Sequence, residues 1–143
     1  MDYFDALRQF LADTYALTVK AQVYHWHIKG NTFMQDHAFL GDFYENLQEA
    51  VDETAERLRM QDQSAHITLG GLDKMRRLSD PLLSADAQVM FTDLAKDQRT
   101  LITVIKGLIT QASKEGDEGT ADFLVGRLRY HEKSLWFMDA KLG

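Results

Sequence analysis

A chain of 143 residues with no cysteine and a net charge of −6 has the length of one domain and excludes disulfides, thiolate metal sites and cysteine nucleophiles. The acidic balance disfavours general affinity for nucleic acid and suits the collection of cations. No apolar run is long enough to cross a membrane, and Asp2 and Asp5 around Phe4 do not make a signal peptide, so a cytoplasmic protein without a membrane partner is expected.

The single proline, Pro81, favours long uninterrupted helices. Residues 3–29 read as the first. Tyr3, Phe10, Leu17 and Tyr24 recur every seven residues, and Phe4, Leu11 and Thr18 form an adjacent row that continues to His25, a broad helical stripe. Gly30 and Asn31 end it, as residues that accept positive φ. Thr32 is expected to cap a second helix running to about Ala65, with Gln35 at the capping-box position. That helix has an apolar face of Leu40, Tyr44, Leu47, Val51, Thr54 and Leu58. Its polar row is His37, Gly41, Glu45, Gln48, Asp52 and Glu56. A polar row is commonly a solvated face, and the histidine at its start is what gives this one interest. Between Ala65 and Ser84 the pattern weakens. Gly70 and Gly71 break the chain, Leu72 to Leu78 form a short helix, and Asp80-Pro81 is a turn. Ser84 caps a third long helix carrying Val89, Leu94, Leu101, Val104, Ile105, Leu108, Ile109 and Ala112, which ends near Lys114. Thr120 opens the last, with Phe123, Leu124, Leu128, His131, Leu135 and Met138 at helical spacing. No stretch alternates as a strand. The expected fold is an all-α bundle of four helices, a single domain of residues 1–143, with one crossover of ~20 residues that travels the length of the bundle and carries a short helix.

Imidazole and carboxylate ligands without sulfur suit iron, zinc or manganese. The usual di-iron signature of a bundle, Glu-x-x-His on two helices, is absent. His25 ends one helix and His37 begins the next, so a tight connection brings them together. Asp52 and Glu56 lie one turn apart on the helix of His37, but fifteen residues separate His37 from Asp52, roughly 22 Å at ~1.5 Å per residue. No ion spans that distance. A second copy, antiparallel across a twofold axis, would bring Asp52 and Glu56 of one subunit to His37 of the other and create two identical sites. Trp26 reads as packing, although an indole beside a redox metal can donate an electron. His27 reads as a surface residue, His66 as complementing the dipole at the end of the second helix, and His131 as a hydrogen-bonded structural histidine. No nucleophile elbow, phosphate-binding loop or dinucleotide fingerprint occurs, and Lys74, Arg76 and Arg77 are too small a patch to imply DNA binding.

The chain resembles the Dps family, the starvation-induced mini-ferritins. The family's His-Trp-Asn-x-x-Gly-x-x-Phe-x-x-x-His appears as His25-Trp26-His27-Ile28-Lys29-Gly30-Asn31-Thr32-Phe33-Met34-Gln35-Asp36-His37. Its Asp-x-x-Ala-Glu-Arg appears as Asp52-Glu53-Thr54-Ala55-Glu56-Arg57. Its C-terminal pattern appears as Thr120-Ala121-Asp122, Arg127, His131-Glu132-Lys133 and Trp136. The resemblance implies a ferritin-like subunit assembled as a hollow dodecamer, with ferroxidase centres at twofold interfaces. His25 and His37 would come from one subunit and Asp52 and Glu56 from its mate. It implies oxidation of Fe(II), preferably by hydrogen peroxide, and storage of Fe(III) mineral. Acidic residues at the start of the last helix line threefold pores in the family, here Asp117 and Asp122, with Glu118 a lesser candidate. Two departures stand out. The family often has an aspartate four residues after the second histidine, where this chain has Gly41, and Asp42 is roughly 100° away round the helix. Restoring that aspartate is expected to strengthen a second iron position. DNA-binding members commonly carry a lysine-rich tail, whereas this chain enters its helix almost at Met1, so DNA binding is not expected without divalent cations. The alternative readings are a catalytically weak shell that acts as a structural or metal-binding particle, and a DNA-compacting protein.

Overall fold

The computed structural model describes residues 1–143 and contains five helices: α1 (Tyr3–His27), α2 (Phe33–Met60), α3 (Leu69–Met75), α4 (Ala87–Lys114) and α5 (Glu118–Leu142). There is no strand; the only β pairing is an isolated bridge between Lys29 and Asp86. The chain divides into two compact units, Leu7–Met90 and the combination of Met1–Ala6 with Phe91–Gly143.

In the first unit α1 and α2 form an antiparallel hairpin. The heptad row of α1 is buried as its spacing requires, with Phe10, Leu17 and Tyr24 fully enclosed; each such side chain contributes about 1.5–3 kcal/mol on burial. On α2 the buried stripe is Leu40, Phe43, Leu47, Ala50, Thr54 and Leu58. Tyr44 and Val51, expected in that stripe, are half-buried at its edge. The expected capping box is not formed. Thr32 makes no cap hydrogen bond and donates instead to the Asp36 carboxylate at 2.7 Å. Helix α2 also ends at Met60, five residues before the expected Ala65. Its C-terminus is a Schellman motif, in which Gln63 N–H donates to Leu58 C=O and Asp62 N–H to Arg59 C=O. Asp62 takes the left-handed position at φ 56, which glycine normally fills and aspartate tolerates.

The crossover runs alongside α1, pinned in order along it. The Arg8 guanidinium donates to Ser64 C=O and to the Gln63 side chain, and the Gln9 amide to Met75 C=O. Asp13, fully buried, accepts from the backbone N–H groups of Arg77 and Leu78 and pairs with the Arg77 guanidinium at 2.6 Å. Lys20 Nζ reaches Ser79 Oγ at 3.3 Å, Tyr24 Oη accepts from Leu82 N–H at 2.9 Å, and Lys29 N–H donates to Ala85 C=O. The short helix starts earlier than Leu72, because Thr68 caps it by accepting from Gly71 N–H. Gly70 and Gly71 therefore lie inside α3 rather than breaking the chain.

Asp86, not Ser84, caps α4: its carboxylate accepts from Gln88 N–H at 2.7 Å, while Ser84 Oγ accepts from Asp86 N–H. In the second unit α4 and α5 meet through a very short connection. Gly116, at φ 73, is the left-handed residue of a second Schellman motif, with Asp117 N–H donating to Ala112 C=O and Gly116 N–H to Ser113 C=O. Asp117 then serves as the N-cap of α5, accepting from Thr120 N–H, so the helix opens at Glu118 rather than at Thr120. Buried residues on α4 include Phe91, Leu94, Leu101, Ile105, Leu108 and Ala112; Val104 and Ile109 are half-buried and Val89 is exposed. His131 is fully buried between the two helices of this unit. Its Nε2 lies 3.1 Å from the Arg127 guanidinium and its Nδ1 2.7 Å from Gln98 Oε1, which makes it the structural histidine expected.

Candidate metal centre

The five residues between α1 and α2 turn tightly. Gly30 supplies φ 125, and Phe33 N–H donates back to Gly30 C=O at 3.2 Å. The last turn of α1 is thereby laid against the first of α2, and His25 meets His37. The two imidazoles stack with ring centroids 3.7 Å apart and planes inclined by 13°. Each Nδ1 is 2.7 Å from the other residue's backbone carbonyl oxygen. A carbonyl oxygen only accepts, so each Nδ1 carries the hydrogen, and in the neutral ring the lone pair is then on Nε2. Metal-ligating histidines are usually held in this way, with one ring nitrogen donating to a fixed acceptor and the other free to bind. The donor chemistry fits iron.

The pair sits in a ladder of rings. Phe33, one turn before His37, stacks on it at 5.0 Å, and Tyr44 meets His25 edge-on at 5.3 Å. Gly41 lies under His25: a Cβ at that position would stand 3.1 Å from its Cε1. Of these neighbours, the i,i+4 spacing of Phe33 and His37 was a readable signal. The contact of Gly41 with His25 joins two helices and leaves no mark in local spacing.

Asp52 and Glu56 are both exposed on α2. The Asp52 carboxylate, first by its charge and then by a hydrogen bond, holds the Glu56 carboxyl above its ordinary 4.5. A carboxylate held close to a second negative charge favours a cation between them. They do not join the histidines within this chain, where no group of three or more His, Asp or Glu side chains is placed to hold a metal ion. The half-open face of the hairpin beside Asp52 is lined by Tyr15, Thr18, Val19, Gln22, Gln48 and Val51.

Trp26 is 60% exposed, so in this chain it is not the packing residue expected. His27 is exposed, its Nδ1 donating to Val23 C=O at 2.9 Å. His66 lies six residues beyond the end of α2 with its backbone N–H on Ser64 Oγ, too far along to complement that helix's dipole. Of the acidic residues at the start of α5, Asp117 is 7% exposed and accepts from Tyr3 Oη at 2.9 Å as well as from Thr120 N–H. Glu118 and Asp122 are exposed.

A ferritin-like domain family matches residues 4–143, spanning both units. The DNA protection during starvation protein of Helicobacter pylori is 29% identical over 143 residues, 99% of each chain. The crystal structure of Dps from Listeria monocytogenes superposes with a TM-score of 0.95 at 27% identity, covering 100% of this chain and 94% of that one. That of Vibrio cholerae Dps, described as a member of a broad superfamily of ferritin-like diiron-carboxylate proteins, gives 0.94 at 27% identity, covering 99% and 89%. No helix here is long and apolar enough to cross a membrane. With its all-α, ferritin-like fold and its short helix in the connection between α2 and α4, the chain belongs to the Dps family of ferritin-like proteins.

Proposed function

We propose that this protein is a mini-ferritin of the cytoplasm, its residues 1–143 acting as one domain. It oxidises Fe(II), preferably with hydrogen peroxide, at centres shared between copies, and stores the Fe(III) mineral in a hollow dodecamer. The observation that carries this reading is the reciprocal clamp of His25 and His37, which holds the two imidazoles side by side with each Nδ1 on a backbone carbonyl. The chain leaves its best carboxylate pair, Asp52 and Glu56, roughly 22 Å further along the same helix. A second copy completes the set, with His25 and His37 from one subunit and Asp52 and Glu56 from its mate. Iron is the substrate. Two Fe(II) ions give up one electron each, the peroxide O–O bond breaks, and two protons are taken up to leave two waters. Oxidant and ferrous iron are consumed together, which suppresses hydroxyl-radical formation. Trp26, exposed and adjacent to His25 in the sequence, gives an electron when a second iron is lacking. Asp122 guides cations at the pore, with Asp117 adding its charge from a buried position. The net charge of −6 per chain opposes duplex DNA unless divalent cations bridge the two.

A second reading is a catalytically weak shell. The specific observation in its favour is Gly41, which puts no carboxylate beside His37. Light scattering combined with stopped-flow oxidation separates the two. The ferroxidase reading expects a particle of twelve chains that oxidises Fe(II) faster with peroxide than with oxygen, and a Glu56→Ala variant that loses tight Fe(II) binding. A particle that assembles but leaves Fe(II) unoxidised by either oxidant would establish the weak shell. A monomer with oxidation intact would sink the shared centre.

A further inference from the structure

Gly41 stands where the family resemblance leads one to expect an aspartate, and the structure gives the glycine a use. Along one face of α2 a side chain at position 41 would stand between those of His37 and Tyr44, in the row that Phe33 begins. That place is taken by the imidazole of His25, which reaches across from α1. A Cβ on Gly41 would stand 3.1 Å from His25 Cε1, closer than ordinary van der Waals contact, and 3.4 Å from its Nδ1. The ring has little room to yield. His37 stacks on one face at 3.7 Å, Tyr44 closes in at 5.3 Å, and Nδ1 is tied to His37 C=O at 2.7 Å. The atom nearest the missing Cβ lies beside the nitrogen that makes that bond.

We infer that Gly41 is a positioning residue for the histidine pair: the absence of a side chain there lets His25 lie flat against α2, and so locks both imidazoles with Nδ1 on a backbone carbonyl and Nε2 free for the metal. This rests on the reading of His25 and His37 as iron ligands. It reverses the expectation that an aspartate at 41 would strengthen the site, because the space that a carboxylate stem would enter is already the seat of a ligand. What the glycine supplies is the setting of a nitrogen donor, and preorganised donors hold a metal better than ones that must rotate into place.

The test uses the assembled protein with Gly41→Ala, Gly41→Asp and, as control, Gly107→Ala. Gly107 is a helical glycine with nothing within 4 Å of an added Cβ. Alanine is the better helix former, so a purely structural role for Gly41 predicts that both alanine variants melt higher and leave the site untouched. Two quantities are read. One is the 15N imidazole spectrum of the metal-free, histidine-labelled protein, which distinguishes an Nδ1–H ring hydrogen-bonded to a carbonyl from one that is not. The other is the calorimetric affinity for Fe(II) under nitrogen. We expect Gly41→Ala and Gly41→Asp to lose the His25 Nδ1–H signature and to bind Fe(II) about tenfold more weakly, while Gly107→Ala matches the wild type in both. An unchanged His25 spectrum and unchanged affinity in Gly41→Ala, or tighter Fe(II) binding in Gly41→Asp, would overturn the inference. The spectrum is taken without metal, so it decides the role of Gly41 even if the wild type takes up no Fe(II), an outcome that would sink the ferroxidase reading instead.

Discussion

His131 shows how much one buried side chain commits the molecule to a protonation state. The Arg127 guanidinium only donates, so Nε2 of His131 must accept, and Nδ1–H donates to Gln98 Oε1. Burial first, and the positive charge of Arg127 second, hold this imidazole well below its ordinary 6.5. The unfolded chain takes up a proton here as pH falls through that ordinary value and the folded chain does not. The stability that His131 protects is therefore complete above it and is lost as pH falls below it, at up to about 1.4 kcal/mol per pH unit. Melting temperatures measured from pH 7.5 to 5 should fall accordingly. His131→Gln, which keeps a donor and an acceptor but does not titrate, should melt lower at pH 7.5 and show a shallower fall. An equal slope in both proteins would assign the acid sensitivity to other groups. His131 was readable as structural from its place on an apolar face, and His25 and His37 were readable as a pair from the short turn between their helices. The role of Gly41 was not readable, since a missing side chain acquires meaning only when another helix fills the gap.

Helix ends tell a similar story one scale up. The apolar rows of α1 and α4 were legible because periodicity is a property of the whole element. Their boundaries were harder, because several residues competed for each cap. Ser84 stood near the start of α4, but Asp86 makes the cap; Thr32 could have capped α2, but its hydroxyl turned to Asp36; Asp62 closes α2 in a conformation that its sequence does not announce. The most concentrated end is Asp117, which terminates α4, caps α5 and accepts from Tyr3. Asp117→Ala should cost about 1–3 kcal/mol, from the lost cap and the lost hydrogen bond of Tyr3. Asp122→Asn, exposed and without such duties, should leave the denaturation midpoint within about 0.5 kcal/mol of the wild type. If Asp122 guides iron, that variant should nonetheless slow Fe(II) uptake at low ionic strength. Uptake unchanged in Asp122→Asn would remove it from the pore.

Across the whole molecule the crossover stands out. Arg8, Gln9, Asp13, Lys20, Tyr24 and Lys29 hold residues 63–85 in step along α1, so this long connection is neither slack nor free to swing. Leu83, between the last two of these contacts, is fully exposed. A protease that cleaves at Leu82-Leu83 should therefore nick the native chain without unfolding it. The two fragments should co-elute with the wild type's helical content and part only in denaturant, because each compact unit draws on both: residues 83–90 complete one and Met1–Ala6 the other. Fragments that separate in native buffer would show that the peptide bond itself was needed. If they stay together, backbone continuity is dispensable at this point. The segment is retained as a bound peptide would be, through its contacts, and a gene split at that codon would encode two pieces that find each other again.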